Sequence, residues 1–130
     1  MRDIKLLIVD DEQRFLSTVE KILKRQGFDV LIAESGQNAL SILEIHDVQV
    51  VILDVKMPGM DGFQTLKEIK HRYPEIEVIM LTGHATVPSA VEAMQMGASD
   101  YLMKPVAMDQ LTEKVYEAVA RSQKTKGDST

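Results

Sequence analysis

The sequence predicts an α/β fold in which five parallel strands form a doubly wound sheet with five helices. Two observations carry this. Short apolar, mostly β-branched runs alternate with helical patterns five times along the chain. Strict alternation of that kind gives parallel strands joined by right-handed crossovers. The chain has 130 residues, the size of one domain.

Each element can be justified in order. Ile4 to Val9 is a strand interrupted by Lys5 and ending at Asp10-Asp11-Glu12. Phe15, Val19, Ile22 and Leu23 then fall on one face of a helix, which Gly27 closes. Val30 to Ala33 is a second strand. Gly36 to Ile45 follows as a helix, with Ala39, Ile42 and Leu43 inward. Val50-Val51-Ile52-Leu53 is continuous and apolar, as the central strand of a parallel sheet must be, and stops at Asp54. Two turn signals follow in the next loop, Pro58-Gly59 and Asp61-Gly62. Phe63, Leu66, Ile69 and Tyr73 make a third helix, stopped before Pro74. Val78 to Leu81 is the fourth strand, ending at Thr82-Gly83. Val87, Ala90, Val91 and Met94 give a fourth helix, closed by Gly97. Asp100 to Met103 is a short fifth strand, ending at Lys104-Pro105. Leu111, Val115, Ala118 and Val119 give the last helix. Periodicity fades near Ser122. The reading is therefore a domain over residues 1–121, with 122–130 a flexible tail or the start of a linker.

Composition narrows the function. Fifteen basic against twenty acidic residues leave a net charge of −5, which argues against direct nucleic-acid binding. The absence of cysteine excludes disulfides and thiol chemistry and suits a cytoplasmic protein. No apolar run approaches the ~20 residues of a membrane span, and Met1-Arg2-Asp3-Ile4-Lys5 lacks a signal-peptide core. His46, His71 and His84 have no metal-ligand spacing. Most of the eight methionines lie on helix or strand patterns and read as core.

Five strands and five helices fit the flavodoxin-like strand order 2-1-3-4-5, in which ligands bind at the carboxyl ends of the strands where the order reverses. The strands end in Asp10-Asp11, Asp54, Thr82 and Lys104. Singly, each has an ordinary role. Asp10 or Asp11 caps a helix, Asp54 begins a turn, Thr82 caps a helix or closes a turn, and Lys104 is a solvated lysine. Converging on one edge, they are a chemically specific set. Three crowded carboxylates call for a cation, and Mg²⁺ prefers such oxygens. A carboxylate beside a bound cation can attack phosphorus. An ammonium and a hydroxyl can receive the phosphoryl oxygens.

In this order and spacing, four segments resemble the response-regulator receiver domains of bacterial two-component signalling. They are Ile8-Val9-Asp10-Asp11-Glu12, Leu53 through Gly62, Leu81-Thr82-Gly83, and Asp100-Tyr101-Leu102-Met103-Lys104-Pro105. The resemblance runs from about Lys5 to Arg121. It implies the same strand order, with Asp54 as phosphoacceptor and Lys104 pairing with it. It also implies Mg²⁺ held by Asp11, Asp54 and the backbone carbonyl of Lys56, with Asp10 acting mainly through water. Thr82 and Tyr101 would be switch residues, and Lys104–Pro105 a cis peptide. Lys56 and His84, each two residues past a functional position, would modulate dephosphorylation. The implied partners are a sensor histidine kinase or phosphotransfer protein, and an output partner or second copy on the helix 4/strand 5/helix 5 face. Residues 84–94 resemble receivers joined to ATPase-type transcription activators. Such a domain catalyses only its own phosphorylation and dephosphorylation and is not an enzyme in the usual sense.

Rival readings fit less well. An Asp-nucleophile phosphatase on a related sheet would want a second Asp where Lys56 stands. A flavin carrier would want a Ser/Thr/Gly-rich loop after the first strand, where Asp10-Asp11-Glu12 would repel the phosphate. Nucleotide binding lacks both GxGxxG and a P-loop.

Overall fold

A computed structural model describes residues 4–57 and 59–128. Pro58 of the expected Pro58-Gly59 turn, the first three residues and the last two lie outside the described residues. The elements are β1 (Lys5–Val9), α1 (Gln13–Arg25), β2 (Asp29–Ala33), α2 (Gly36–Ile45), β3 (Val50–Leu53), α3 (Gly62–Arg72), β4 (Glu77–Thr82), α4 (Val87–Gln95), β5 (Asp100–Met103) and α5 (Met108–Asp128). The sheet is wholly parallel in the order β2-β1-β3-β4-β5, as the β–α alternation predicts. Among the described residues, no helix is long and apolar enough to cross a membrane.

Alternation along the strands divides the core into two layers. Leu7, Val9, Val51, Leu53, Val78 and Met80 face α2, α3 and Ala93 of α4. Leu6, Ile8, Val50, Ile52, Ile79 and Leu81 face α1 and α5. All four residues of β3 are buried, because helices cover both faces and strands flank both edges.

Local chemistry sets the helix starts. Ser35 and Thr86 accept hydrogen bonds from the backbone N–H groups of Asn38 and Ser89. Asp61 and Gln64 form a reciprocal capping box, so Asp61-Gly62 begins α3 rather than making a turn. Glu12, not Asp10 or Asp11, occupies the N-cap of α1. Gly27 has a φ of +99° just past the end of that helix.

Three expectations need correction. In α1 the buried face is Leu16, Val19 and Leu23, with Phe15 and Ile22 only partly covered. In α4 only Ala93 is buried; Val87, Val91 and Met94 are exposed, because the helix leans on the short edge strand β5. Met94 and Met103 accordingly lie outside the core, whereas Met57 and Met80 lie within it. Lastly, α5 continues past residue 121 to Asp128. Ser122 stands four residues after Ala118 on the inward face, is buried, and donates to the Glu75 carbonyl at 3.5 Å. The inward stripe therefore continues in a polar residue, and no Gly or Pro interrupts the chain before Gly127.

Candidate functional site

The carboxyl edge of the sheet is built by backbone hydrogen bonds that carry the ladder past the strand ends. Asp10 N–H donates to the Ala33 carbonyl at 3.1 Å, and Asp54 N–H to that of Val9 at 3.0 Å. On the far side, Lys104 N–H donates to the Thr82 carbonyl at 2.8 Å. The two aspartates and the lysine are thus held in register before any side-chain interaction forms. The Lys104–Pro105 peptide bond is cis.

These residues open into a cleft of about 560 Å³, lined by Asp10, Asp11, Glu12, Asp54, Lys56, Met57, Gly83, His84 and Lys104. Asp10 and Asp54 are 1% and 6% exposed, whereas Asp11 is exposed at the mouth. Lys104 Nζ lies 2.6 Å from Asp10 Oδ2 and 3.7 Å from both Asp54 Oδ2 and Glu12 Oε1. Its tightest pairing is therefore with Asp10, with Asp54 a longer second contact. The remaining oxygen of Asp10, Oδ1, accepts from Glu12 N–H at 2.9 Å.

Burial raises the pKa of Asp10 from its ordinary value, and the charge of Asp54 adds to this; the hydrogen bonds from Lys104 and Glu12 offset it only in part. Burial pulls the other way on Lys104, but its hydrogen bond to Asp10 and the charges of Asp10, Asp54 and Glu12 outweigh it. The Lys104 pKa is raised, and the ammonium stays protonated.

The donor set suits a hard divalent cation. Carboxylate oxygens of Asp10, Asp11 and Asp54 lie within 4.8 Å of one another, and the cleft holds four carboxylates against two lysines. Asp54 Oδ1 is buried and has no hydrogen-bond partner among the described residues. A buried, unpaired carboxylate oxygen is costly in a protein interior, and a cation bound by oxygen ligands would satisfy it.

The other expected residues differ in whether they line this cleft, and Thr82 does not. Thr82 is fully buried, and its Oγ1 accepts from His84 N–H at 3.1 Å. Lys56 and His84 both line the cleft. Tyr101 does not line it. The ring is half-buried against the core layer of α2 and α3, with its hydroxyl buried and unpartnered.

Two neighbours of Lys104 escape a reading of strand ends. Glu12 appears in the sequence only as the residue after the aspartate pair. Phe15 reads as a core position of α1, yet its ring centroid lies 4.1 Å from Lys104 Nζ.

A family model described as "Response regulator receiver domain" matches residues 6–116. The transcriptional regulatory protein ZraR of Salmonella typhimurium is 38% identical over 122 residues, covering 94% of this chain and 28% of ZraR. A putative NtrX-like response regulator of Rickettsia bellii is 44% identical over 110 residues, covering 83% and 23% respectively. The chain spans about a quarter of the length of these curated relatives. Among solved structures, a CheY-like response regulator receiver domain protein from Methanospirillum hungatei superposes with a TM-score of 0.91 at 31% identity, over 95% of this chain and 99% of that one. NtrX from Brucella abortus, solved with ADP, superposes with a TM-score of 0.93 at 32% identity, over 98% of this chain and 30% of that one.

Proposed function

This chain belongs to the response regulator receiver domain family of two-component systems, and from that premise we propose that it is a phosphorylation-controlled switch with Asp54 as its phosphoacceptor. One observation carries the reading. Asp54 is a buried carboxylate at the end of the central strand, with one unpaired oxygen, beside a lysine ammonium and two further aspartates.

The donor is a phosphohistidine of a sensor histidine kinase or phosphotransfer protein. An Asp54 oxygen attacks phosphorus, the new O–P bond forms, and the P–N bond breaks. The imidazole leaves with the electron pair and takes up a proton. Lys104 neutralises charge on the phosphoryl oxygens. Mg²⁺, when bound, supplies further positive charge against those oxygens. Asp11, Asp54 and the Lys56 backbone carbonyl would hold it, with Asp10 acting mainly through water. Thr82 donates a hydrogen bond to the phosphoryl group, and Tyr101 changes rotamer with it. Lys56 and His84 flank the approach of the water that later breaks the Asp54–phosphoryl bond.

The readout surface is α4, β5 and α5, which biases a pre-existing equilibrium toward an output partner or a second copy of the chain. Exposed Val91, Met94 and Met103 support this choice. The receiver unit works in the cytoplasm. The ZraR and NtrX-like relatives support an output in transcription control through a linked ATPase-type activator. Incubation with acetyl phosphate and Mg²⁺, followed by intact-mass measurement, tests the assignment. One hydroxylamine-labile phosphoryl group is expected on the wild type and none on Asp54→Asn. Unchanged labelling of that variant would overturn it.

A further inference from the structure

Lys104 has partners of two kinds. Three are carboxylates, of which Asp10 is the nearest at 2.6 Å. The fourth is the face of Phe15, whose centroid lies 4.1 Å from Nζ. In the reaction proposed above, on which this inference rests, Asp10 and Asp54 both change. Asp10 would serve the cation through water and Asp54 gains a phosphoryl group, so neither can hold the ammonium in a fixed place. Glu12 is exposed at the mouth of the cleft. The ring is chemically unaltered throughout. It is carried on the first turns of α1 and packs against the core layer shared by α1 and α5. An aromatic face attracts a cation without a lone pair, so the three N–H groups of Lys104 stay available for oxygens.

We propose that Phe15 is a positioning residue: its ring holds the Lys104 ammonium beside Asp54 while the carboxylates around it change partners. The attraction is strengthened by burial, because the Lys104 side chain is only 16% exposed.

Phosphorylation of the full chain by acetyl phosphate in Mg²⁺, followed by intact mass, provides the test. Replacing Phe15 with trifluorinated phenylalanine keeps the shape of the ring and weakens its negative face. This variant and Phe15→Leu should react about three- to tenfold more slowly, while Phe15→Tyr should stay within about twofold of wild type. In a Lys104→Ala background the fluorinated ring should bring no further loss. A ring-current shift on the Lys104 ε-methylene, seen by NMR and lost in Phe15→Leu, reports the contact without any reaction. Wild-type rates in the fluorinated protein, or equal slowing without Lys104, would overturn the inference while leaving the phosphoacceptor reading intact. A wild-type chain that takes up no phosphoryl group would instead refute that reading, and the role of Phe15 with it.

Discussion

Gly62 is where α3 meets the loop that follows Asp54, and adding a single methyl group there should be costly. A Cβ at Gly62 would lie 2.2 Å from the Asp54 carbonyl oxygen and 2.6 Å from Val55 Cα. Both are backbone atoms, so no side-chain rotation relieves the overlap. The start of α3 must retreat by on the order of 1 Å to restore ordinary contact. That retreat strains the 2.8 Å hydrogen bond from Gly62 N–H to the Val55 carbonyl. Overpacking costs about 1–3 kcal/mol, and the weakened hydrogen bond about 0.5–1.5 kcal/mol. The stiffer unfolded chain returns about 0.4–1 kcal/mol. At the midpoints of these ranges Gly62→Ala should lose about 2 kcal/mol, a large share of an ordinary domain's ~5–15 kcal/mol. In urea the midpoint should fall by roughly 1–1.5 M. Gly83→Ala is the control, since its Cβ would meet nothing within 4 Å, and it should stay within about 0.5 kcal/mol of wild type. If Gly62→Ala also stays within about 0.5 kcal/mol, the steric argument is wrong.

Three further outcomes are expected. Asp10 holds its proton more tightly folded than unfolded, because burial disfavours its charge. Its contribution to stability is therefore greatest below the ordinary carboxylate pKa and is lost as pH rises through the folded value. In metal-free buffer at neutral pH, Asp10→Asn should be more stable than wild type by on the order of 1 kcal/mol, and the gain should vanish in acid; a gain that persists in acid would refute the cause. Removing the buried, unpartnered hydroxyl of Tyr101 by Tyr101→Phe should stabilise the fold by about 1 kcal/mol in urea melts, and a loss would show that the hydroxyl is satisfied. If Lys56 crowds the water path, as the proposed function has it, Lys56→Ala should speed decay of the phosphorylated protein about two- to tenfold, measured by phosphate release in excess Mg²⁺; slower decay would mean that the lysine assists hydrolysis.

Legibility in the sequence followed burial and covalent order. Val50 to Leu53 reads as a central strand because only a strand covered on both sides is apolar at every position. The strand-end residues could be brought together from the sequence because parallel topology sends all carboxyl ends to one edge. Which apolar residues of a helix face inward was less legible. Val87, Val91 and Met94 have helical spacing, yet Ala93 is the buried one, since periodicity locates a stripe without showing what lies opposite it. At the site, the choice of Asp10 over Asp54 as the tighter partner of Lys104 is an ångström-scale matter of side-chain reach. Phe15 was hidden because an aromatic at helical spacing reads the same whether it faces a core or a cation. The end of α5 was missed because its inward stripe passes into Ser122, a polar residue.

The exposure of α4 has a consequence for how the protein opens. Its nine residues fall short of the ~12–15 at which an isolated helix becomes even marginal in water. One alanine anchors it in the core, and a methyl group contributes little compared with the leucines and isoleucines holding α1 and α3. Detaching α4 therefore costs far less than unfolding the sheet, and the helix forms a separate, low-energy opening unit. Its amides should exchange with solvent through that local event, with little dependence on denaturant. Those of β3, fastened on both edges and under both layers, should exchange only when the whole domain comes apart.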